Sequence, residues 1–163
     1  MAKATKADLV IVANRLPVHR NADSPDGWET SPGGLVSALL PILKRQAGVW
    51  VGWTGSTDDH PKPFEHEGFQ NHPVQLTSQE LDDYYHGFSN RTLWPLYHDA
   101  CRTPSYHRRW WQPYLEINRR FAEATSTVAA KGAKVLIQDY HLQMVPGMLR
   151  EMRPDLKISF FLH

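Results

Sequence analysis

The sequence predicts an α/β protein built on a mainly parallel sheet, and three features carry that prediction. Short continuous apolar runs recur along the 163 residues, none with the polar alternation of a half-exposed strand. Segments with apolar residues at helical spacing separate these runs. Glycine, proline and helix-capping residues sit at the junctions.

The first run, residues 8–13 (DLVIVA), predicts a strand buried on both faces. Residues 14–32 are rich in Pro, Asp, Gly and Ser and predict a long loop. After Gly33 and Gly34, the spacing of Leu35, Leu39, Leu40 and Leu43 predicts a helix. Residues 49–53 (VWVGW) predict a second strand, 56–72 an irregular stretch, and 74–76 a short strand. Thr77 and Glu80 form a capping box, from which Leu81, Tyr84, Tyr85 and Phe88 extend a helix. A longer helix is predicted over 106–131, with Trp110, Tyr114, Ile117 and Phe121 on one stripe and Gly132 as its stop. Residues 135–138 predict a strand, 142–152 a helix, and 158–162 a last buried strand. The sequence stops on that strand, so more chain is expected beyond it.

Composition narrows the function classes. Apolar residues make up 41% and charged residues 21%, with a formal net charge of +1 from 18 basic and 17 acidic side chains. Such a balance lacks the concentrated basic surface that nucleic-acid binding needs. Cys101 is the single cysteine, so no internal disulfide forms and a reducing compartment is expected. The apolar run before Asn14 is too short for a signal peptide, and a membrane helix needs about 20 apolar residues. A cytoplasmic protein without a membrane partner is the expectation. The nine histidines show no HExxH, and no CxxC is present, so no metal is expected.

Ligands of open parallel sheets bind beyond the carboxyl ends of the strands. That rule selects Asn14 and Arg15, Trp53, Asp139 and His163. Arginine offers a fork to phosphate, a carboxylate accepts from hydroxyls, and aromatic faces cover sugar rings. Gly33 and Gly34 at a helix start let a ligand approach backbone N–H groups. Each residue also has a plainer reading: a loop end for the glycines, core for Trp53, packing for Tyr85 and Trp94, a helix cap for Asp139.

Six segments taken in order resemble a known family. They are residues 10–17 (VIVANRLP), 31–35 (SPGGL), 50–55 (WVGWTG), 84–95 (YYHGFSNRTLWP), 137–142 (IQDYHL) and 160–163 (FFLH). Together they are similar to the opening of the trehalose-6-phosphate synthases, retaining glycosyltransferases of family 20. The resemblance implies a GT-B fold, two Rossmann-like domains facing across a cleft. Residues 1–163 would then be an incomplete N-terminal, acceptor-binding domain, inactive alone, with the C-terminal domain absent. By the same resemblance Arg15 and Tyr85 bind the phosphate of glucose 6-phosphate. Trp94 and Asp139 hold its sugar, and Trp53 lies nearby. Gly33 and Gly34 meet the diphosphate of a UDP-glucose or GDP-glucose donor, and His163 meets the donor glucose. Asp139 and His163 are thus the residues expected at the catalytic centre. No cofactor is implied, since the nucleotide sugar is a co-substrate, and a homo-oligomer is compatible with the family. The loop before Gly33 is expected to fold over the donor. A non-catalytic sugar-phosphate-binding relative and a pseudosugar-transferring homologue are the competing readings.

Overall fold

The computed structural model describes residues 6–98 and 102–163. Cys101 lies outside these residues. The chain enters through β1 (Ala7–Arg15) and a small hairpin of β2 (Val18–Arg20) and β3 (Trp28–Thr30). Helix α1 (Gly34–Arg45), β4 (Val49–Trp53), β5 (Phe64–His66) and β6 (Phe69–Pro73) follow. A long helical passage runs from α2 (Ser78–Glu80) through a π-helix (Leu81–Leu93) into α3 (Trp94–Tyr97). A 3₁₀ turn (Arg108–Trp110) opens α4 (Trp111–Val128), which leads to β7 (Ala129–Gln138). A second 3₁₀ turn (Tyr140–Leu142), α5 (Val145–Met152) and β8 (Lys157–Phe161) complete the order.

Six strands form the main sheet in the order β5-β6-β4-β1-β7-β8, parallel throughout except for the antiparallel β5–β6 edge. Central β1 shows why its sequence carries no polar alternation. Val10 and Val12 enter a core with Tyr114, Ile117 and Phe121 of α4, whereas Leu9, Ile11 and Ala13 enter a second core with Leu40 and Leu43 of α1. Helices cover both faces, so both sets of side chains are apolar.

Several expectations need correction. The 14–32 stretch contains the β2–β3 hairpin, and the 56–72 stretch contains β5 and part of β6. Both segments are too short and polar to show a period. The pairing expected at 74–76 belongs instead to residues 69–73, with the Val74 N–H donating to the Gly52 carbonyl at 2.8 Å just beyond. The long helix ends at Val128, and Gly132, at φ 73°, lies inside β7 rather than stopping the helix. A distant side chain makes this end: the Arg153 guanidinium donates to the carbonyls of Ser126, Ala129 and Ala130 at 2.9, 3.2 and 3.0 Å. No local signal announces that cap. The last strand, expected to be buried, pairs with β7 alone within the described residues, and its Phe161 is 54% exposed.

Candidate functional site

Strand order reverses about β1. The chain adds β4 and β6 on one side of it, then β7 and β8 on the other. The carboxyl ends of β1 and β7 therefore flank a switch point, where open α/β sheets bind ligands. A cleft of about 420 Å³ lies there, lined by Arg15, Gly33, Gly34, Tyr85, Asp139 and His163 together with Asn14, Gln138 and His141.

Arg15 is the last residue of β1, exposed, and makes no ion pair among the described residues. Its guanidinium lies 5.0 Å from the centroid of the Trp53 ring. Trp53 itself is buried and donates its indole N–H to the Ser56 carbonyl at 2.9 Å. It backs Arg15 from beneath instead of lining the cleft. Asn14 is spoken for: its Oδ1 accepts from the Tyr84 hydroxyl at 2.8 Å, tying the end of β1 to the π-helix.

Gly33 precedes α1 with φ 150°, and a Cβ built at Gly33 or Gly34 would meet nothing within 4 Å. Among the described residues, no side chain caps this helix start. Open space and uncapped N–H groups give the cleft an anion-attracting wall.

Asp139 follows β7 with φ 71° and ψ 166°. That region is almost confined to glycine and costs a non-glycine residue about 1–3 kcal/mol. The capping reading is part of the account, since Asp139 Oδ1 accepts from the Tyr140 N–H at 2.9 Å and caps the 3₁₀ turn. The strained backbone is secured by its own N–H, which donates to the Phe161 carbonyl at 2.7 Å. His163 Nε2 lies 3.1 Å from Gln138 Oε1, so the ends of β7 and β8 hold each other's side chains.

His141 did not stand out in the sequence as a site residue. It is buried, with its ring stacked between those of Tyr85 (centroids 5.4 Å apart) and Tyr140 (4.1 Å). Its Nε2 has no hydrogen-bond partner among the described residues. Burial pushes its pKa down to about 4, against a smaller upward pull from Asp139, so the ring is neutral at physiological pH. The only sequence signal was its place two residues after Asp139, in a segment that reads as helix start.

Trp94, like Trp53, is a predicted residue that does not line the main cleft. It lines a neighbouring cavity with Asn90, Arg102 and Tyr140, where the Arg102 guanidinium lies 5.7 Å from its ring and His98 stacks at 4.8 Å. The two cavities share one aromatic wall, because Tyr140 of the second stacks on His141 of the first. Arg102 is a further missed cation, sitting in a stretch without periodicity.

The stretch before Gly33, expected to fold over the donor, is the β2–β3 hairpin, held by side chains of residues 59–66. Arg20 makes two hydrogen bonds to Asp59 at 2.7 and 2.8 Å and lies over Trp28. Trp28 stacks on Phe64 at 4.2 Å, and Asp26 meets His66 at 2.7 Å. Only Ser31 and Pro32, at the hairpin's exit, line the cleft. Among the described residues, no three His, Cys, Asp or Glu side chains are grouped to hold a metal ion, and no helix is long and apolar enough to cross a membrane.

A parallel sheet whose switch-point cleft offers an unpaired guanidinium, an uncapped helix start and a carboxylate is suited to a ligand that carries both phosphate and hydroxyl groups. The chain belongs to glycosyltransferase family 20, whose model matches residues 7–163. It is 56% identical over 159 residues to the trehalose-6-phosphate synthase of Mycolicibacterium smegmatis, covering 96% of this chain and 32% of that protein. The Mycobacterium avium enzyme of the same name is 56% identical over 163 residues, with 33% of its length covered. A UDP-forming synthase structure from Burkholderia xenovorans matches with TM-score 0.80 at 31% identity, over 96% of this chain and 32% of that one. A B. xenovorans synthase in complex with glucose 6-phosphate matches with TM-score 0.76 at 30% identity, over 95% and 33%. The chain thus spans about a third of the length of these relatives.

Proposed function

We propose that this chain is the acceptor-binding, N-terminal Rossmann-like part of a cytoplasmic trehalose-6-phosphate synthase. The complete enzyme would transfer glucose, with retention, from UDP-glucose or GDP-glucose to glucose 6-phosphate. The observation that carries this reading is the meeting of Arg15, Gly33, Gly34, Tyr85, Asp139 and His163 around one cleft at the switch point.

In this reading the Arg15 fork grips the acceptor phosphate, with the Tyr85 ring beside it. The free oxygen of Asp139 accepts from acceptor hydroxyls, its partner oxygen already being bound by the Tyr140 N–H. The N–H groups at the start of α1 face the donor diphosphate, and His163 faces the donor glucose. Trp94 supports the acceptor from the adjoining cavity. None of these groups is set up as a nucleophile with an adjacent base. The reaction then rests on positioning and electrostatics: the leaving diphosphate takes the proton of the attacking hydroxyl on the same face, and the site stabilises oxocarbenium-like charge. A neutral His141 suits such a wall, because a buried cation there would offset the Asp139 carboxylate.

The test uses the complete enzyme with glucose 6-phosphate and either UDP-glucose or GDP-glucose. A phosphorylated non-reducing disaccharide is the expected product, and the productive donor identifies the base. Binding of glucose 6-phosphate without product from either donor would favour a regulatory sugar-phosphate-binding protein instead.

A further inference from the structure

Arg15 is the unpaired cation of the cleft, yet a long side chain at a strand end needs something to aim it. Four residues of a single segment, 50–55, do so. The Trp50 indole N–H donates to the Arg15 carbonyl at 3.0 Å, and the Trp53 carbonyl accepts the Leu16 N–H at 2.8 Å. A Cβ at Gly52 would fall 2.7 Å from the Arg15 carbonyl carbon, so only glycine lets the two backbones approach this closely. Pairing between β1 and β4 shifts register between Val12 and Arg15, directly beside this approach.

The same segment bounds the side chain. Trp53 supplies the floor beneath the guanidinium. Gly55, at φ 95°, bounds it as well: a Cβ there would clash with Arg15 Nη2 and Cζ. The turn keeps this shape by itself, with Trp53 Nε1 and Thr54 Oγ1 both donating to the Ser56 carbonyl at 2.9 and 3.3 Å.

We propose that Gly55 is a positioning residue for the acceptor phosphate: with Trp53 it forms a slot that fixes the direction of the Arg15 guanidinium. The inference rests on the functional reading above and adds a residue that never touches substrate. Glycine is needed because the guanidinium occupies the volume that any side chain would fill, on a backbone that already favours glycine. The Arg15 side chain is free to swing away, so a substitution redirects it rather than breaking the core.

The experiment is a double-mutant cycle in the complete enzyme, with Gly55→Ala and Arg15→Ala singly and together. Gly55→Ala is expected to raise the acceptor KM at least about tenfold, the scale of one charge-assisted phosphate contact, with the donor KM within about threefold. In the Arg15→Ala background the same substitution should change the acceptor KM by less than about twofold, since the group it acts through is gone. Trp53→Phe, which leaves the turn's glycine untouched, should show a smaller rise and the same lack of effect without Arg15. Melting curves check that each variant is folded. An acceptor KM unchanged in both slot variants would overturn the proposal. So would an equal effect with and without Arg15, since that means the turn acts elsewhere. A wild-type enzyme that transfers nothing and does not bind glucose 6-phosphate would overturn the functional reading itself, which the variants alone could not.

Discussion

Arg15 and His141 are two residues of one wall with opposite electrostatic demands. Arg15 is exposed, so in the proposed reading its side chain acts on the ligand and adds little to folding. Arg15→Ala in the complete enzyme should raise the acceptor KM at least about tenfold, from a lost contact worth about 1.5–3 kcal/mol, with little change in Tm. His141 is the reverse. Its folded pKa, about 4, lies below its ordinary 6.5, so the folded state resists protonation. Its neutral form contributes stability above pH 6.5, and that contribution is lost as pH falls from 6.5 towards 4. The Tm of the wild type should therefore fall through that window before the carboxylates titrate. His141→Phe keeps a ring between Tyr85 and Tyr140 and should flatten the fall. Equal pH profiles for the two proteins would show that the ring is not the titrating group. Arg15 was legible in the sequence because a charged residue interrupts an apolar run at its end. His141 was not, because burial between two tyrosines is decided by where the 3₁₀ turn meets the π-helix.

Element by element, legibility follows the source of each boundary. The Thr77–Glu80 capping box is closed by local bonds, Glu80 N–H to Thr77 Oγ1 at 3.3 Å and Thr77 N–H to Glu80 Oε2 at 2.8 Å, so four residues suffice to announce it. The end of α4 is set by Arg153 from across the fold, and the hairpin by Asp59, Phe64 and His66, so neither boundary is visible locally. The passage over 81–93 reads as helical, but its π geometry does not follow from apolar spacing. π-turns are uncommon and gather at functional sites. This one carries Tyr85 to the cleft and passes the 3₁₀ turn closely: a Cβ at Gly87 would sit 2.8 Å from the Trp110 ring. Gly87→Ala should therefore cost about 1–3 kcal/mol by overpacking, read as a lower Tm or denaturation midpoint. An unchanged midpoint would mean that Trp110 moves aside freely.

At the scale of the molecule, the parallel sheet was legible because its strands are apolar on both faces, and the site because it follows the strand ends. Trp94 shows where that reasoning ran out: its position along the chain gave no hint that a second cavity, floored by Tyr140, would hold it. One further consequence follows from the backbone of Asp139. A protein is stable by only about 5–15 kcal/mol, so a residue held in glycine's territory at a cost of about 1–3 kcal/mol is a noticeable fraction of the whole. Selection for heat resistance alone would be drawn to Asp139→Gly, which relieves the strain, less the lost cap and the greater freedom of the unfolded chain. Its Tm should stay level or rise while acceptor binding collapses; a clear drop in Tm would show that the cap outweighs the strain. Sequences recovered by such selection would be sturdier and idle, and the aspartate would reappear only where substrate turnover decides survival.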